Sequence, residues 1–423
     1  MTKSKGMSSA VVAVGDELLI GKTLDGNGSW LSKKLTSLGA PVMGRWVTGD
    51  DPVAIKQSVI AALEGSDLVI VTGGLGPTTD DLTRPAVADL FDLKLIVNQS
   101  LVDKLRSRFS ALGYEKLPGR NLVQAEVPEG AIIIPNCEGT APGLIIEDGQ
   151  KSVVLMPGVP HEMKSMFDSS VTDYINERFQ LRLNPILQRT FNTSGIPESL
   201  LAEKIGEDIT HFPSDVSVAF LPRLQGVSVR ITTPLSGGQG LSSLDFCENI
   251  IKKALAPYCY SVGKKNIVDS LADCLLIDKK SFAVGESCTG GLISKRITDV
   301  PGSSSYYKGG IIAYDVATKS GVLGIEKSVI EEKGVVSEEI AALMAEKTKE
   351  IMKADFGIGV TGIAGPDGGT EDNPIGTVYY AVAGPSQTMC FRKNFQGNRE
   401  AIRERATQAA LFSLFQILTD RQV

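Results

Sequence analysis

The sequence predicts an α/β protein built from three successive domains, and three observations carry that prediction. Short β-branched runs alternate with amphipathic segments from Ser9 to about Phe91 and again from Ser281 onward, the pattern of sheets layered with helices. A chain of 423 residues, at about 100–200 residues per domain, makes two to four domains, each able to close its own core. Hydrophobic residues at 42% and charged residues at 22% give ordinary globular composition, which excludes the disordered and membrane-embedded classes.

In the first domain Ala10–Val14, Val42–Thr48 and Leu68–Val71 are predicted strands, and Leu24–Leu38 and Val53–Leu63 are helices between them. This alternation calls for a parallel sheet with helices on both faces, whose ligands bind at the carboxyl ends of the strands. At those ends fall GDELL (Gly15–Leu19) and TGGLGPTTDDLT (Thr72–Thr83), the latter entering a helix at Leu82–Leu90. Ala131–Pro135, Gly143–Ile146 and Ser152–Met156 are strands closing the domain, the last running through MPGVPHEM (Met156–Met163) into a helix to about Phe179. The first domain is therefore set at 1–180.

The second domain, 181–263, reads as a small α+β module. Ile186–Thr193, Val216–Pro222 and Gly226–Thr232 are its strands, with a hairpin turn at Leu224–Gly226, and Pro197–Asp208 and Leu241–Pro257 are its helices. SGGQG (Ser236–Gly240) is a flexible loop inside it, and Ser261–Lys265 is the linker to a fresh helix at Ile267–Ile277. The third domain, 264–423, repeats the α/β pattern. Its strands are Phe282–Gly285, Gly310–Ala313, Phe356–Val360, Gly376–Ala383 and Thr388–Phe395; its helices are Thr289–Thr298, Ala317–Leu323, Ser337–Met352 and Arg399–Leu418. No period relates the three regions, which excludes a solenoid.

Composition narrows the chemistry. The balance of 43 Lys+Arg against 49 Asp+Glu, a formal charge of −6, argues against a protein that binds nucleic acid by neutralising phosphates. The only histidines are His161 and His211, so the last half of the chain has neither a Ser-His-Asp triad nor a His-ligated metal. Six cysteines lie scattered without a CxxC pair, the usage of reduced intracellular thiols. Asp16 and Glu17 interrupt the apolar run Val11–Val14 too soon for a signal peptide, and no stretch approaches a membrane span. The expected compartment is the cytoplasm.

Three glycine-rich strand ends carry the candidate chemistry. After Leu68–Val71, Gly73, Gly74 and Gly76 let backbone N–H groups approach an anion, with Thr78 adding a hydroxyl. Asp80 and Asp81, with Asp16 and Glu17, offer hard oxygens for a divalent cation on a diphosphate; the plainer alternative is that Asp80 and Asp81 cap the following helix. His161 reads as a local hydrogen-bonding group and not a ligand. In ESCTGG (Glu286–Gly291) Ser287 sits on a strand-to-helix turn beside backbone N–H groups, a nucleophile and oxyanion hole, or else a helix cap. Cys288 is a rival nucleophile. Without histidine the base is a lysine, tyrosine or carboxylate, and GGIIAYDVATKSGVLG (Gly309–Gly324) supplies Tyr314 and Lys319. Lysine takes a proton only when neutral, so it needs desolvation or a cationic neighbour to lower its pKa from about 10.4. The alternative for Lys319 is a solvated helix lysine. VTGIAGPDGGTEDNPIGT (Val360–Thr377) gives a third anion-binding loop with Thr361, and Arg399 in GNRE (Gly397–Glu400) a charged clamp.

With these motifs the chain resembles the CinA (competence/damage-inducible protein A) family over essentially its full length. The resemblance implies an N-terminal molybdopterin-binding-like three-layer domain, a KH-like module and a C-terminal nicotinamide mononucleotide deamidase domain. By motif it assigns a serine/lysine amidohydrolase pair to Ser287 and Lys319 with Tyr314 beside them. Cys288, Thr289, Gly290, Thr361, Gly362 and Arg399 then lie around the substrate. It also implies a metal-dependent ADP-ribose pyrophosphatase in the first domain, with Gly73, Gly74, Gly76 and Thr78 on the ligand and Asp16, Glu17, Asp80 and Asp81 on a divalent metal. TGGLGPTTDD is intact, whereas Gly26 and Gly28 stand where the family has bulkier residues. The expected function is pyridine-nucleotide salvage by a homodimer without membrane or nucleic-acid partners. The competing expectations are an interaction protein of the competence/damage response, with a first domain that binds a nucleotide or pterin without turnover, and molybdopterin adenylyl transfer.

Overall fold

The computed structural model describes residues 6–114, 116–235 and 240–420; the loop expected at Ser236–Gly240 falls outside these residues except for Gly240. The chain divides into two compact units, residues 6–187 with 234–235, and residues 188–233 with 240–420.

The first unit begins β1 (Ser9–Val14), a single turn α1 (Asp16–Leu19), α2 (Gly26–Ser37), β2 (Val42–Thr48), α3 (Pro52–Gly65), β3 (Leu68–Thr72) and α4 (Thr83–Leu90). It continues through β4 (Leu95–Val97), α5 (Gln99–Ala111), β5 (Glu126–Pro128), β6 (Ile132–Ile134), β7 (Gly143–Asp148), β8 (Lys151–Met156), α6 (Pro160–Met166) and α7 (Thr172–Phe179). The main sheet runs β2-β1-β3-β8-β7-β6. Its first four strands are parallel, but β7 is antiparallel to both β8 and β6, so the sheet is mixed where the alternation predicts a parallel one. Chain connectivity decides this: Asp148 pairs with Lys151 across Gly149–Gln150, and a two-residue loop can only return the chain antiparallel.

The pleat sorts β1 between two cores. Val12 faces Ile55, Val59 and Val87 on one side of the sheet, while Val11 faces Leu31, Leu35 and Phe167 on the other. Helix α5 escapes the sequence pattern because it buries only Leu101, Val102 and Leu105 in thirteen residues.

In the second unit β9 (Ile186–Thr193), α8 (Glu198–Thr210), β10 (Ser217–Arg223), β11 (Gly226–Pro234), α9 (Gly240–Ala254) and β12 (Cys259–Val262) form a sheet of order β10-β11-β9-β12. Ser261 and Val262 pair with Asn192 and Phe191. The expected linker Ser261–Lys265 therefore starts inside a strand, and only Gly263–Lys265 connects to α10 (Ile267–Ile277), which Asn266 and Asp269 open with a capping box.

The rest of this unit is β13 (Phe282–Glu286), α11 (Leu292–Thr298), β14 (Tyr307–Ile312), α12 (Val316–Gly321), α13 (Lys327–Lys333), α14 (Glu338–Met352), β15 (Phe356–Gly362), β16 (Thr377–Ala383), β17 (Thr388–Asn394) and α15 (Arg399–Leu418). Its sheet runs β14-β13-β15-β16-β17, the first three strands parallel and the last two antiparallel. The chain leaves β13 for β14 on one side and then crosses to β15 on the other. The carboxyl end of β13 is thus a topological switch point, where open α/β sheets leave a crevice for ligands. A methyl at Gly357 or Gly359 would run into the carbonyls of Ala345 and Ala341, so these glycines let α14 lie directly on β15. No helix among the described residues is long and apolar enough to cross a membrane.

Candidate active site

Three loops leaving adjacent parallel strands build the site in the second unit. β13 delivers Glu286, Ser287 and Cys288; β14 delivers Tyr314 and, through α12, Lys319; β15 delivers Thr361 and Gly362. Lys319 is fully buried, and its Nζ lies 3.0 Å from Ser287 Oγ, 2.7 Å from the Ala313 carbonyl and 3.3 Å from the Tyr314 carbonyl. Burial lowers the Lys319 pKa from its ordinary value, against the weaker opposing pull of Cys288 and Asp315. The three partners suit both protonation states. An ammonium donates to all three, while a neutral amine donates to the two carbonyls and accepts the Ser287 hydroxyl proton. Proton transfer along this contact therefore needs no rearrangement.

Ser287 is held from behind. Its N–H donates to the Val360 carbonyl at 3.0 Å, and its own carbonyl accepts from Gly290 N–H at 3.0 Å. Glu286, fully buried, accepts from the N–H groups of Gly291, Ile293 and Ser294 at 2.9, 3.1 and 2.9 Å and from Ser294 Oγ at 2.6 Å. One carboxylate thus caps α11 and fixes the turn that carries Ser287. The left-handed backbone of Gly290 and Gly291, at φ 57° and 90°, makes that turn possible. The N–H groups of Cys288 and Thr289 donate to no backbone carbonyl among the described residues, two donors next to the hydroxyl that would attack.

The remaining candidates separate by exposure. Burial pushes the Cys288 thiol up to about 12, so it stays protonated and is a poor nucleophile. Thr289 is buried, its carbonyl accepting from Arg403 Nη2 at 2.6 Å. Thr361 turns its hydroxyl to the Val335 carbonyl at 2.8 Å, which ties β15 to the turn before α14; Gly362 closes β15 where a side chain would meet Thr377 and Val378. At the rim, exposed Tyr314 accepts from Arg399 Nη2 at 2.9 Å, and Arg399 Nη1 donates to the Gly365 carbonyl at 2.7 Å. The sequence gives little sign of Glu286 beyond its place immediately before Ser287.

In the first unit the switch point falls between β1 and β3, and the loops that follow them meet there. Gly73 packs so tightly on the Val14 carbonyl that no side chain fits, and Gly74 likewise on Thr83. Asn27 Nδ2 donates to the Gly158 carbonyl at 2.7 Å, and Thr72 Oγ1 to the Pro157 carbonyl at 3.0 Å, which draws Met156–Met163 to the same end. Gly76 abuts the Asp81 carboxylate, which accepts from Thr78 N–H at 2.8 Å and Thr78 Oγ1 at 2.5 Å. Asp81 therefore braces the loop, and neither it nor Asp80 caps α4, whose N-cap Leu82 makes no side-chain bond.

Asp16 and Asp50 exchange bonds, each carboxylate accepting the other's backbone N–H at 3.2 and 3.0 Å. Burial raises the Asp50 pKa from its ordinary value, and Asp16, Glu17 and Asp80 add repulsion. Asp50 belongs to none of the sequence motifs, although it follows the end of β2 at the same edge of the sheet. Among the described residues no three His, Cys, Asp or Glu side chains are grouped to hold a metal ion. Asp16, Glu17, Asp80 and Asp81 are donors of suitable chemistry, but their arrangement does not fit a ready-made metal cage. His161 Nε2 lies 3.7 Å from the Glu138 carboxylate on the surface, a local contact. Gly28 gives its N–H to the Asp25 carboxylate at 2.7 Å, space that a larger residue would take.

Residues 264–418 match the family described as the CinA C-terminal domain, 188–261 the Damage-inducible protein CinA KH domain, and 10–177 the "Probable molybdopterin binding domain". A CinA-like protein of Gemmatimonas aurantiaca is 38% identical over 408 residues, covering 96% of this chain and 95% of that one. A CinA-like protein of Dictyoglomus thermophilum is 35% identical over 406 residues, covering 96% and 98%. A solved structure of the protein CinA from Thermoplasma acidophilum is 35% identical and covers 40% of this chain and 99% of that one, with a TM-score of 0.38.

Proposed function

The chain belongs to the CinA family, and on that premise we propose that its second unit deamidates nicotinamide mononucleotide to nicotinate mononucleotide and ammonia. The observation that supports this reading is the fully buried lysine 3.0 Å from Ser287 Oγ in a region without histidine. Ser287 Oγ attacks the carboxamide carbon while neutral Lys319 takes the hydroxyl proton. The N–H groups of Cys288 and Thr289 hold the oxyanion. Collapse of the intermediate breaks the C–N bond, and Lys319 returns its proton to the leaving ammonia. Water then attacks the acyl ester, Lys319 accepts a proton from it, and Ser287 Oγ leaves with that proton. Arg399, oriented by Tyr314, serves the phosphate of the substrate at the rim. Ammonia release from nicotinamide mononucleotide tests the assignment: Ser287→Ala is expected to abolish it, and undiminished turnover would remove Ser287 from the chemistry. The exposed Ile312 and Val316, beside Tyr314 at edge strand β14, support the homodimer the resemblance implies, which sedimentation tests.

A second reading concerns the first unit, which we infer binds the diphosphate of ADP-ribose at the β1/β3 switch point. The glycine loop packed against β1 favours it, because backbone N–H groups there can approach phosphate. No cage is preformed there among the described residues, so a divalent cation would be held jointly by the diphosphate and by Asp16, Glu17, Asp80 or Asp81 and would supply charge neutralisation. AMP release from ADP-ribose in Mg²⁺ or Mn²⁺, lost in excess chelator, is the expected result; full release in chelator would remove the metal, and no release would leave a binding domain.

A further inference from the structure

One peptide group joins the serine turn to the helix behind it. Gly290 N–H donates to the Ser287 carbonyl at 3.0 Å, closing a turn whose two central residues are Cys288 and Thr289. These are the residues whose N–H groups hold the oxyanion in the deamidase reading. The carbonyl of that same peptide group, on Thr289, accepts from Leu292 N–H at 3.2 Å and from Arg403 Nη2 at 2.6 Å. A cation on α15 thus grips the peptide whose other end closes the turn. A methyl on Gly290 would stand 3.3 Å from Arg403 Nη2, so the glycine leaves the guanidinium its room.

Arg403 is neither a solvated surface charge nor half of an ion pair. It is half-buried, its Nε is buried without a hydrogen-bond partner, and it forms no ion pair among the described residues. The carboxylates beside it are engaged elsewhere. Glu404, next to it on α15, accepts from Gln225 Nε2 at 3.3 Å and stands 3.9 Å from Arg296 Nη1, while Glu286 is taken up by the N–H groups and the hydroxyl at the start of α11. A guanidinium keeps its charge at any working pH, and holding that charge partly out of water without a counter-ion costs stability. Donation to a carbonyl polarises the peptide and strengthens its N–H as a donor, which here is the Gly290 N–H that closes the turn. The charge also reaches the next residue, where it opposes the rise that burial gives the Cys288 thiol.

We propose that Arg403 is a positioning residue for the deamidation, which fixes the Ser287–Gly290 turn from α15 and sets a permanent positive charge behind the N–H groups of Cys288 and Thr289. This rests on the deamidase reading. The oxyanion forms only after attack, so the charge acts on the transition state more than on bound substrate. Ammonia release from nicotinamide mononucleotide by the full chain tests it, with the folded fraction of each variant taken from circular dichroism. In Arg403→Met kcat per folded chain is expected to fall at least about tenfold, with KM within about threefold of the parent. Arg403→Lys, which keeps a cation for the same carbonyl, is expected to recover most of that loss. A tie that only steadied α15 would lower the unfolding temperature and leave kcat unchanged. Should Arg403→Met not fold, Arg403→Gln, which keeps polarity without the charge, is read in its place. The inference is overturned if kcat of the neutral variant stays within about threefold of the parent, if KM rises by as much as kcat falls, or if Arg403→Lys is no better than the neutral variant. No ammonia release by the parent would instead remove the deamidase reading itself.

Discussion

Replacing Lys319 by methionine keeps an unbranched side chain of similar length and deletes the amine. Three contacts go with it, at 3.0, 2.7 and 3.3 Å. The carbonyl of buried Ala313 loses a partner, a cost of about 1–3 kcal/mol for an unsatisfied buried acceptor. The thioether needs no desolvation in a site that is fully closed to solvent around Lys319, which offsets part of this cost, so the variant is expected to fold. Turnover is different. A positioned general base contributes about 10²- to 10⁴-fold, and the same amine serves both half-reactions, so kcat for ammonia release from nicotinamide mononucleotide should fall by that range with KM little changed. Lys319→Arg keeps donors but cannot give up a proton near neutral pH, and it should be as inactive. Activity within about threefold of the parent in either variant would refute the view that this amine moves the proton.

The lowered Lys319 pKa also predicts that kcat/KM rises with pH and levels off below the ordinary lysine value of about 10.4; a rise that continues past that value would count against a neutral base. The stability sign follows: below the depressed folded-state pKa the site carries a costly buried charge, and between it and the unfolded value the unfolded chain binds more protons. The parent should therefore gain stability with rising pH across that window relative to Lys319→Met, as read by urea unfolding. Cys288→Ala should retain deamidase activity within a few-fold, and iodoacetamide at neutral pH should label exposed Cys137 well before Cys288, whose thiol is buried and pushed up to about 12; prompt labelling of Cys288 would contradict this. Glu286→Gln replaces two acceptor oxygens by one and sets an NH₂ against N–H donors, so a loss of about 2–4 kcal/mol and a fall in kcat are expected from thermal unfolding and turnover. Gly359→Val would force α14 off β15 and should destabilise by more than the about 1–3 kcal/mol of ordinary overpacking.

Much of the fold was legible because the strands at sheet centres are continuous apolar runs, such as Leu68–Thr72 and Phe282–Glu286, all buried. Legibility failed where burial is thin. Helix α5 hides three core residues among polar ones, and Cys259–Val262 is too short and mixed to stand out as a strand, so part of it passes for a linker. The site was legible in its residue types, since the lack of histidine in the last half restricts the base to lysine, tyrosine or a carboxylate.

Local sequence by itself determined that glycine-rich turns follow Leu68–Val71, Phe282–Gly285 and Phe356–Val360 and which nucleophiles and bases lie near them, because strand periodicity and backbone permissiveness are properties of neighbours along the chain. Only the tertiary structure chose among them. The crossover from β14 to β15 sets β13 between them, and burial then seats Lys319 against Ser287, silences Cys288 and turns Thr361 to Val335. Asp50 and Glu286 gain their places in the same way. Desolvation and contact between residues tens of positions apart depend on how the layers close, and no short stretch of sequence encodes them.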